Sequence, residues 1–320
     1  MTTTVVLSRC ASYEDRCVRA AIEDVLEPLG GIGAFVSPGT RVLLKPNLIV
    51  ARHQDQAATT HPAVMKVVAQ MVVEAGAMPI IGDSPAFGSA RGVAARSGIM
   101  KIAREMGIEI VEFRNPQRIW LGRGSLRSIL VDRLAFEADA IINLPKLKIH
   151  GQMMLSLAVK NLFGFVPGRR KALCHLLFSG NRKGFARLIL EIMEHVQPQL
   201  TIVDGIVGME GDGPSNGDPR GFGLVAAGTD CVAIDTVLAE VLGIQPRDVP
   251  ILEVAHELGV GETRLDRIAI LGEQLDSIRV SEVWVPALSP IGFSVPRLAR
   301  GMVKHCMALM RARRAEKPSS

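Results

Sequence analysis

Lys146, Lys148 and His150 alternate in the run Pro145-Lys146-Leu147-Lys148-Ile149-His150-Gly151. An extended backbone puts alternate side chains on one face, so three proton-carrying groups would stand side by side while Leu147 and Ile149 fill an apolar face opposite. Crowded cations repel and lower one another's pKa unless an anion or an acidic cluster sits against them. Such a row suits capture of an anionic substrate by Lys146 and proton transfer by Lys148 or His150. Other segments offer matching chemistry. Lys45-Pro46-Asn47 supplies a cation and an amide, Lys160-Asn161 another such pair, and Thr60-His61-Pro62 a histidine at a helix start where Thr60 can cap and proline fits the first turn. Lys45, Asn47, His61, Lys146, Lys160 and Asn161 are therefore the expected substrate-binding residues.

Carboxylates recur at corresponding places. Asp83 follows Gly82, Asp204 precedes Gly205, and Glu210 opens a glycine-rich acidic loop that also holds Asp212, Asn216 and Asp218. That loop matches neither an EF-hand nor a Walker loop. Asp83, Asp204 and Glu210 are hard oxygen donors, expected to hold magnesium, manganese or calcium rather than zinc. Asp204 is also counted with Lys148 and His150 as catalytic. Asp235 sits near a helix start, where a carboxylate is favoured on structural grounds alone.

The elements that must position these residues follow from apolar patterning. Val- and Ile-rich runs alternate with helical periods, the pattern of an α/β fold with largely parallel sheet and helices on both faces. Strands are expected at Thr3–Leu7, Arg41–Leu44, Pro79–Ile81, Glu109–Glu112, Leu126–Val131, Ala140–Leu144, Leu200–Val203, Leu224–Ala226 and Arg267–Leu271. Helices are expected at 15–29, 62–74, 93–106, 185–196, 231–242 and 250–258. The polar stretch 115–127 suggests two α/β lobes, 1–114 and 127–293, followed by a basic amphipathic segment over 294–320. Four strands run straight into polar or glycine-rich motifs, which would converge at the carboxyl edge of a sheet, where parallel sheets bind ligands. Lys146, Lys148, His150, Asp204 and Glu210 are expected in one pocket there.

Composition narrows the function classes. The chain has 320 residues, 48% hydrophobic and 22% charged, which excludes a disordered chain. Residues 297–320 carry seven basic side chains and one acid; subtracting these from 37 basic and 32 acidic residues leaves 30 and 31. The body is thus nearly neutral, which argues against nucleic-acid binding. The five cysteines form no CxxC, so no iron–sulfur cluster held by a cysteine motif of this chain is expected. With no signal-peptide pattern in residues 1–9 and no long uncharged apolar run, the expected location is cytoplasmic. Residues 296–317 offer a surface for an anionic membrane or a protein partner.

The runs Val42-Leu43-Leu44-Lys45-Pro46-Asn47-Leu48, Thr60-His61-Pro62, Gly82-Asp83-Ser84-Pro85, Asn143-Leu144-Pro145-Lys146-Leu147-Lys148-Ile149-His150, Val159-Lys160-Asn161-Leu162-Phe163-Gly164, Asp204-Gly205-Ile206 and Met209-Glu210-Gly211-Asp212-Gly213-Pro214 resemble the domain-of-unknown-function 362 family over about residues 40–245. The resemblance implies an α/β fold with a shared pocket, and an association with iron–sulfur centres through an added cysteine-rich module. This chain has no such module. The layout is also similar, as fold-level analogy, to the nickel-pincer lactate racemases. The favoured function is an enzyme acting on a small carboxylate- or phosphate-bearing substrate by proton transfer, of isomerase, epimerase or lyase type, assisted by a divalent metal. One alternative is an oxidoreductase fed by a separate ferredoxin. Another is a non-catalytic scaffold docked through its basic tail.

Overall fold

The computed structural model describes residues 3–168 and 170–292. The basic segment expected over 294–320 lies outside the described residues. In chain order the strands are β1 (Thr3–Arg9), β2 (Arg41–Pro46), β3 (Met78–Asp83), β4 (Ile110–Glu112), β5 (Pro116–Trp120) and β6 (Ser128–Asp132). There follow β7 (Ala140–Leu144), β8 (Lys146–His150), β9 (Met154–Ser156), β10 (Leu200–Glu210), β11 (Asp218–Gly228) and β12 (Ile268–Gly272). The helices are α1 (Asp15–Leu26), α2 (Pro62–Glu74), α3 (Ala90–Ser97), α4 (Ile99–Glu105), α5 (Leu134–Glu137) and α6 (Ala158–Asn161). The remaining ones are α7 (Arg170–Leu177), α8 (Arg182–Val196), α9 (Cys231–Val241), α10 (Pro250–Leu258) and α11 (Leu275–Ile278).

Ten strands form one sheet in the order β12-β1-β11-β10-β7-β2-β3-β4, with β8 on β10 and β9 on β8. Neighbours from β10 through β7, β2 and β3 to β4 are parallel, while β11 runs antiparallel between β1 and β10. The fold is α/β as expected, but the two-lobe division is corrected: strands of 1–114 and of 127–293 interleave in one sheet, β1 lying between β11 and β12 and β2 beside β7. Apolar patterning identifies strands without naming their partners, so a polar stretch at 115–127 looked like a boundary. It forms the small β5–β6 hairpin instead.

Both sheet faces are buried, which is why the strands read as continuous apolar runs. Val42, Leu44, Ile81, Ile142 and Ile202 face a core shared with α1, α2, α3 and α4. Leu43, Ile80, Ile141 and Val203 face the opposite core, shared with α6, α8, α9 and α10. The chain leaves β2 toward β3 and β4, then returns to place β7 on the other side of β2. Strand order reverses between β2 and β7, and a crevice forms beyond the carboxyl ends of strands that diverge this way. Pro145 separates β7 from β8, which carries the chain onward past β2 to pair with β10 through Asp204↔Lys146 and Met209↔Lys148.

The β8–β10 contact depends on a missing side chain. A Cβ at Gly208 would stand 2.5 Å from the Leu147 carbonyl oxygen and 2.7 Å from the Phe222 ring, whereas one at Gly221 meets nothing within 4 Å. Gly208→Ala is expected to lower stability by about 1–3 kcal/mol through overpacking, and Gly221→Ala to change it by less than about 0.5 kcal/mol. Urea unfolding of both variants checks this. Equal midpoints would show that β8 and β10 do not need their close approach.

Candidate functional site

Two ion pairs mark the crevice. Lys45 at the end of β2 is in register with Asn143 of β7. Its Nζ donates to Asp83 Oδ1 at 2.8 Å and to the Pro46 carbonyl at 3.1 Å, while the Leu48 N–H donates to Asp83 Oδ2 at 2.7 Å. Gly164 lies against this pair, and a Cβ there would overlap both Lys45 Nζ and Asp83 Oδ1. The second pair joins β8 to β10: Lys146 Nζ donates to Asp204 Oδ2 at 2.8 Å and to the Tyr13 hydroxyl at 2.6 Å. Asp204 also accepts from the Tyr13 hydroxyl at 2.8 Å and from the His61 N–H at 2.8 Å. Tyr13 stacks on the His61 ring with centroids 3.5 Å apart. Burial and the Asp204 charge push the Tyr13 phenol up, so it stays protonated.

Lys148 differs from both. Among the described residues its Nζ reaches only neutral oxygens, Asn47 Oδ1 and the Ala58 carbonyl at 2.8 Å each, with the Pro214 carbonyl at 3.5 Å. Burial, then the charges of Lys160 and Lys146, hold its pKa well below the usual lysine value. Burial alone lowers Lys160 to about 8. Lys171 of α7 donates to the Ser84 carbonyl, and burial, with Lys45 and Lys160 acting against the opposing pull of Asp83, lowers it to about 7. His150 accepts on Nδ1 from the N–H groups of Gln152 and Met153 at 3.0 and 3.3 Å, leaving Nε2 to carry the ring proton. Burial and the charge of Lys160 keep that ring neutral, far below its usual pKa. His175, on α7, is lowered to about 3 by burial and Lys160. Lys45 and Lys146 are thus paired with Asp83 and Asp204, while Lys148, Lys160 and Lys171 form no ion pair with a described residue.

A chain of amides ties the crevice together. Asn47 Nδ2 donates to Asn161 Oδ1 at 2.9 Å, and Asn161 Nδ2 to Asn143 Oδ1 at 2.8 Å. Asn143 Nδ2 ends the chain on the Ala158 carbonyl at 3.1 Å and Thr201 Oγ1 at 3.3 Å. Asp235 accepts from the Ala158 and Val159 N–H groups at 2.7 and 3.2 Å, anchoring the start of α6, which carries Lys160 and Asn161. Its bonds go to α6 rather than to the start of its own helix α9, which Asp230 caps.

The structure brings together Lys45, Asn47, His61, Asp83, Lys146, Lys148, His150, Lys160, Asn161 and Asp204, and leaves out Glu210. Glu210 Oε2 accepts from Arg220 Nη1 at 2.7 Å and from the Trp284 N–H at 3.2 Å. Asp83, Asp204 and Glu210 are each committed to other donors, and among the described residues no three His, Cys, Asp or Glu side chains gather as metal ligands. The expected divalent ion does not fit this donor set. Burial pushes the thiols of Cys10 and Cys174 up to about 11 and that of Cys231 to about 12, opposite to what thiolate ligands need. The cap of α2 is also corrected: His61 Nδ1 accepts from the Ala63 N–H at 3.1 Å, while Thr60 Oγ1 donates to the Leu144 carbonyl at 2.6 Å. Burial lowers His61 to about 4.

Tyr13, Asn143, Lys171 and His175 belong to the site without having been expected there as functional residues. Tyr13 is the only tyrosine of the chain, which is the one signal it offered. Lys171 was concealed by its helix. Leu173, Leu176 and Leu177 look like the buried stripe of α7, yet they are exposed, while Lys171, Cys174 and Phe178 turn inward. Surface depressions beside Leu242 and Arg279 and beside Glu23 and Ile32 share no residue with the cluster. The 211–217 loop covers the cluster near Lys148, where the Pro214 carbonyl approaches.

A family model described as a domain of unknown function (DUF362) matches residues 42–240, and the chain belongs to this family. A thylakoid-associated protein of Synechocystis sp. is 41% identical over 305 residues, with 95% of each chain covered. The lactate racemase apoprotein of Thermoanaerobacterium thermosaccharolyticum matches with a TM-score of 0.45 at 14% identity, covering 71% of this chain and 54% of that one, about half its length.

Two outcomes are expected from the charge arrangement. Lys45→Met strands the Asp83 carboxylate and should cost about 3–5 kcal/mol. Lys148→Met removes an amine without a counter-charge and should cost clearly less, which chemical denaturation measures. Lys160 and Lys171 have folded pKa values of about 8 and 7, depressed from 10.5. The unfolded chain therefore binds more protons than the folded one, and their contribution to stability rises with pH from about 7 to about 10.5. Unfolding free energies of the wild type and of Lys160→Met/Lys171→Met over this window should show a steeper rise for the wild type. Parallel curves would contradict the assigned burial of these amines.

Proposed function

We propose that this DUF362 member is an enzyme that binds a small carboxylate- or phosphate-bearing substrate against Lys148, Lys160 and Lys171 and transfers a proton on it. One observation carries the reading: three inward-turned lysines lack a carboxylate partner among the described residues, while Lys45 and Lys146 beside them are paired. Buried cations without counter-charge are unfavourable, so an incoming anion supplies what the fold withholds. Bound there, it restores the protonated state of Lys160 and Lys171. Lys148, depressed by its surroundings, acts as base, and neutral His150 presents its Nε2–H as acid. A base and an acid on one strand face suit isomerase, epimerase or lyase chemistry at carbon.

A second, compatible reading concerns location. Leu173, Leu176 and Leu177 of α7 are 53%, 68% and 57% exposed. The Gly180 N–H donates to the Ile291 carbonyl at 3.1 Å, so the described chain ends close to that apolar face. The residues that follow carry seven basic side chains against one acid. Together with a thylakoid-associated relative, these features favour peripheral docking on an anionic membrane through residues 296–317. No described helix is long and apolar enough to cross a membrane.

Incubation in heavy water with a panel of 2-hydroxy acids, 2-oxo acids and phosphate esters is expected to place deuterium on carbon in at least one compound. Lys148→Met should lower that rate by about 100-fold or more. No exchange with any compound, combined with a melting temperature indifferent to phosphate and to small carboxylates, would remove the enzyme reading. For location, full-length protein should sediment with anionic liposomes in a salt-sensitive manner and lose this after truncation at Phe293. Binding retained by the truncated chain would assign docking elsewhere.

A further inference from the structure

We propose that Lys148 is a covalent site whose amine condenses with the carbonyl carbon of a small anionic aldehyde or ketone, a 2-oxo acid being the simplest, to hold it as an imine. The juxtaposition is Lys148 Nζ oriented by Asn47 and Ala58, His150 on the same face of β8, and Lys160 beside both. The inference rests on the anion site proposed above and names the class of compound that site takes.

Imine formation needs a neutral amine, a lone pair aimed at the ligand, a proton carrier and an anchor for the rest of the molecule. The first is supplied by burial and by the neighbouring charges of Lys160 and Lys146, which disfavour the ammonium form. The second follows from geometry. A neutral amine has two N–H bonds and one lone pair. Asn47 Oδ1 and the Ala58 carbonyl, both at 2.8 Å, accept the two hydrogens, so the lone pair takes a remaining tetrahedral direction. The Pro214 carbonyl, at 3.5 Å, is too distant for a good hydrogen bond. Asn47 cannot turn its amide over without breaking the chain through Asn161 and Asn143, so it keeps its oxygen on Lys148. These asparagines are positioning residues for the amine.

The chemistry balances without an oxidant or reductant. The Nζ lone pair forms the C–N bond as the carbonyl oxygen takes the His150 Nε2 proton. A proton leaves the nitrogen and returns to His150. The C–O bond then breaks, the hydroxyl departs as water with the remaining nitrogen proton, and the C=N bond forms. Lys160 pairs with the carboxylate of the bound compound.

Pyruvate with sodium borohydride is the probe. The full-length protein is expected to gain the mass of one reduced pyruvate, mapped by peptide sequencing to Lys148, with inorganic phosphate slowing the gain. Lys148→Met should gain none while keeping its circular dichroism spectrum, and Lys160→Met should still label at Lys148 but need roughly tenfold more pyruvate, the equivalent of one lost ion contact. Label confined to exposed lysines, or equal label in Lys148→Met, would overturn the proposal. A rise in melting temperature with pyruvate but no trapped adduct would defeat the imine and leave the anion site standing. Neither rise nor adduct would defeat both.

Discussion

Burial of lysine amines at the carboxyl end of β2 and along β8 is the constraint around which the rest of this molecule is arranged. An ammonium ion taken from water loses several kcal/mol of solvation even after relaxation, and Lys45, Lys146 and Lys148 are almost wholly enclosed. The fold answers in two ways. Lys45 and Lys146 each receive a carboxylate from the adjacent strand, β3 for one and β10 for the other. The first pair joins β2 to β3 just beyond their ladder, and the second joins register partners of β8 and β10. Among the described residues, Lys148 receives only dipoles, and Lys160 and Lys171 no carboxylate. The paired lysines are structural charges, and the unpaired ones are those to which the proposed substrate contacts are assigned.

Holding them requires rigid polar scaffolding inside an apolar body. The three asparagines form a chain whose donors all point away from Lys148, so each bond polarises the next. That chain closes on α6, a single helical turn that could not persist unaided and is fixed at its start by Asp235. Gly164 allows the turn after α6 to lie directly on the Lys45–Asp83 pair. Leu147 and Ile149, enclosed on the opposite face of β8, anchor the strand that presents the lysines. Apolar burial and polar satisfaction act here on alternate residues of one five-residue strand.

Much of this was legible in the sequence because strand period and charge coincide there. The alternation of Lys146, Lys148 and His150 with apolar residues pointed to β8 and its two faces, and the exits of β2 and β3 to Lys45 and Asp83 at a shared edge, whereas the exit expected at Asp204 is corrected: β10 runs on through it to Glu210. The parts that were not legible depend on partners distant in the chain. Nothing local to β11 says that it runs antiparallel between β1 and β10. Glu210 has the composition of a metal ligand, but Arg220, ten residues on across a hairpin, claims it. Asn143 reads as one polar residue in an apolar strand until Thr201 and Asn161 arrive beside it. On α7 the ordinary rule inverts, because a lysine and a histidine are wanted inside and leucines are left outside.

The expected role of Asp204 as a catalytic carboxylate illustrates how saturation separates support from chemistry. Its two oxygens accept from Lys146, from Tyr13 and from the His61 backbone. With both oxygens taken by these donors and sealed beneath a stacked tyrosine and histidine, the carboxylate has no room to approach a substrate. Tyr13 lies outside the family-matched residues 42–240 and reaches in from the loop after β1, closing that end of the crevice from another part of the chain. The closed end aligns β8 with β10. Two residues further along β8, Lys148 meets neutral oxygens rather than a carboxylate, which is why the proposed reactivity is assigned there.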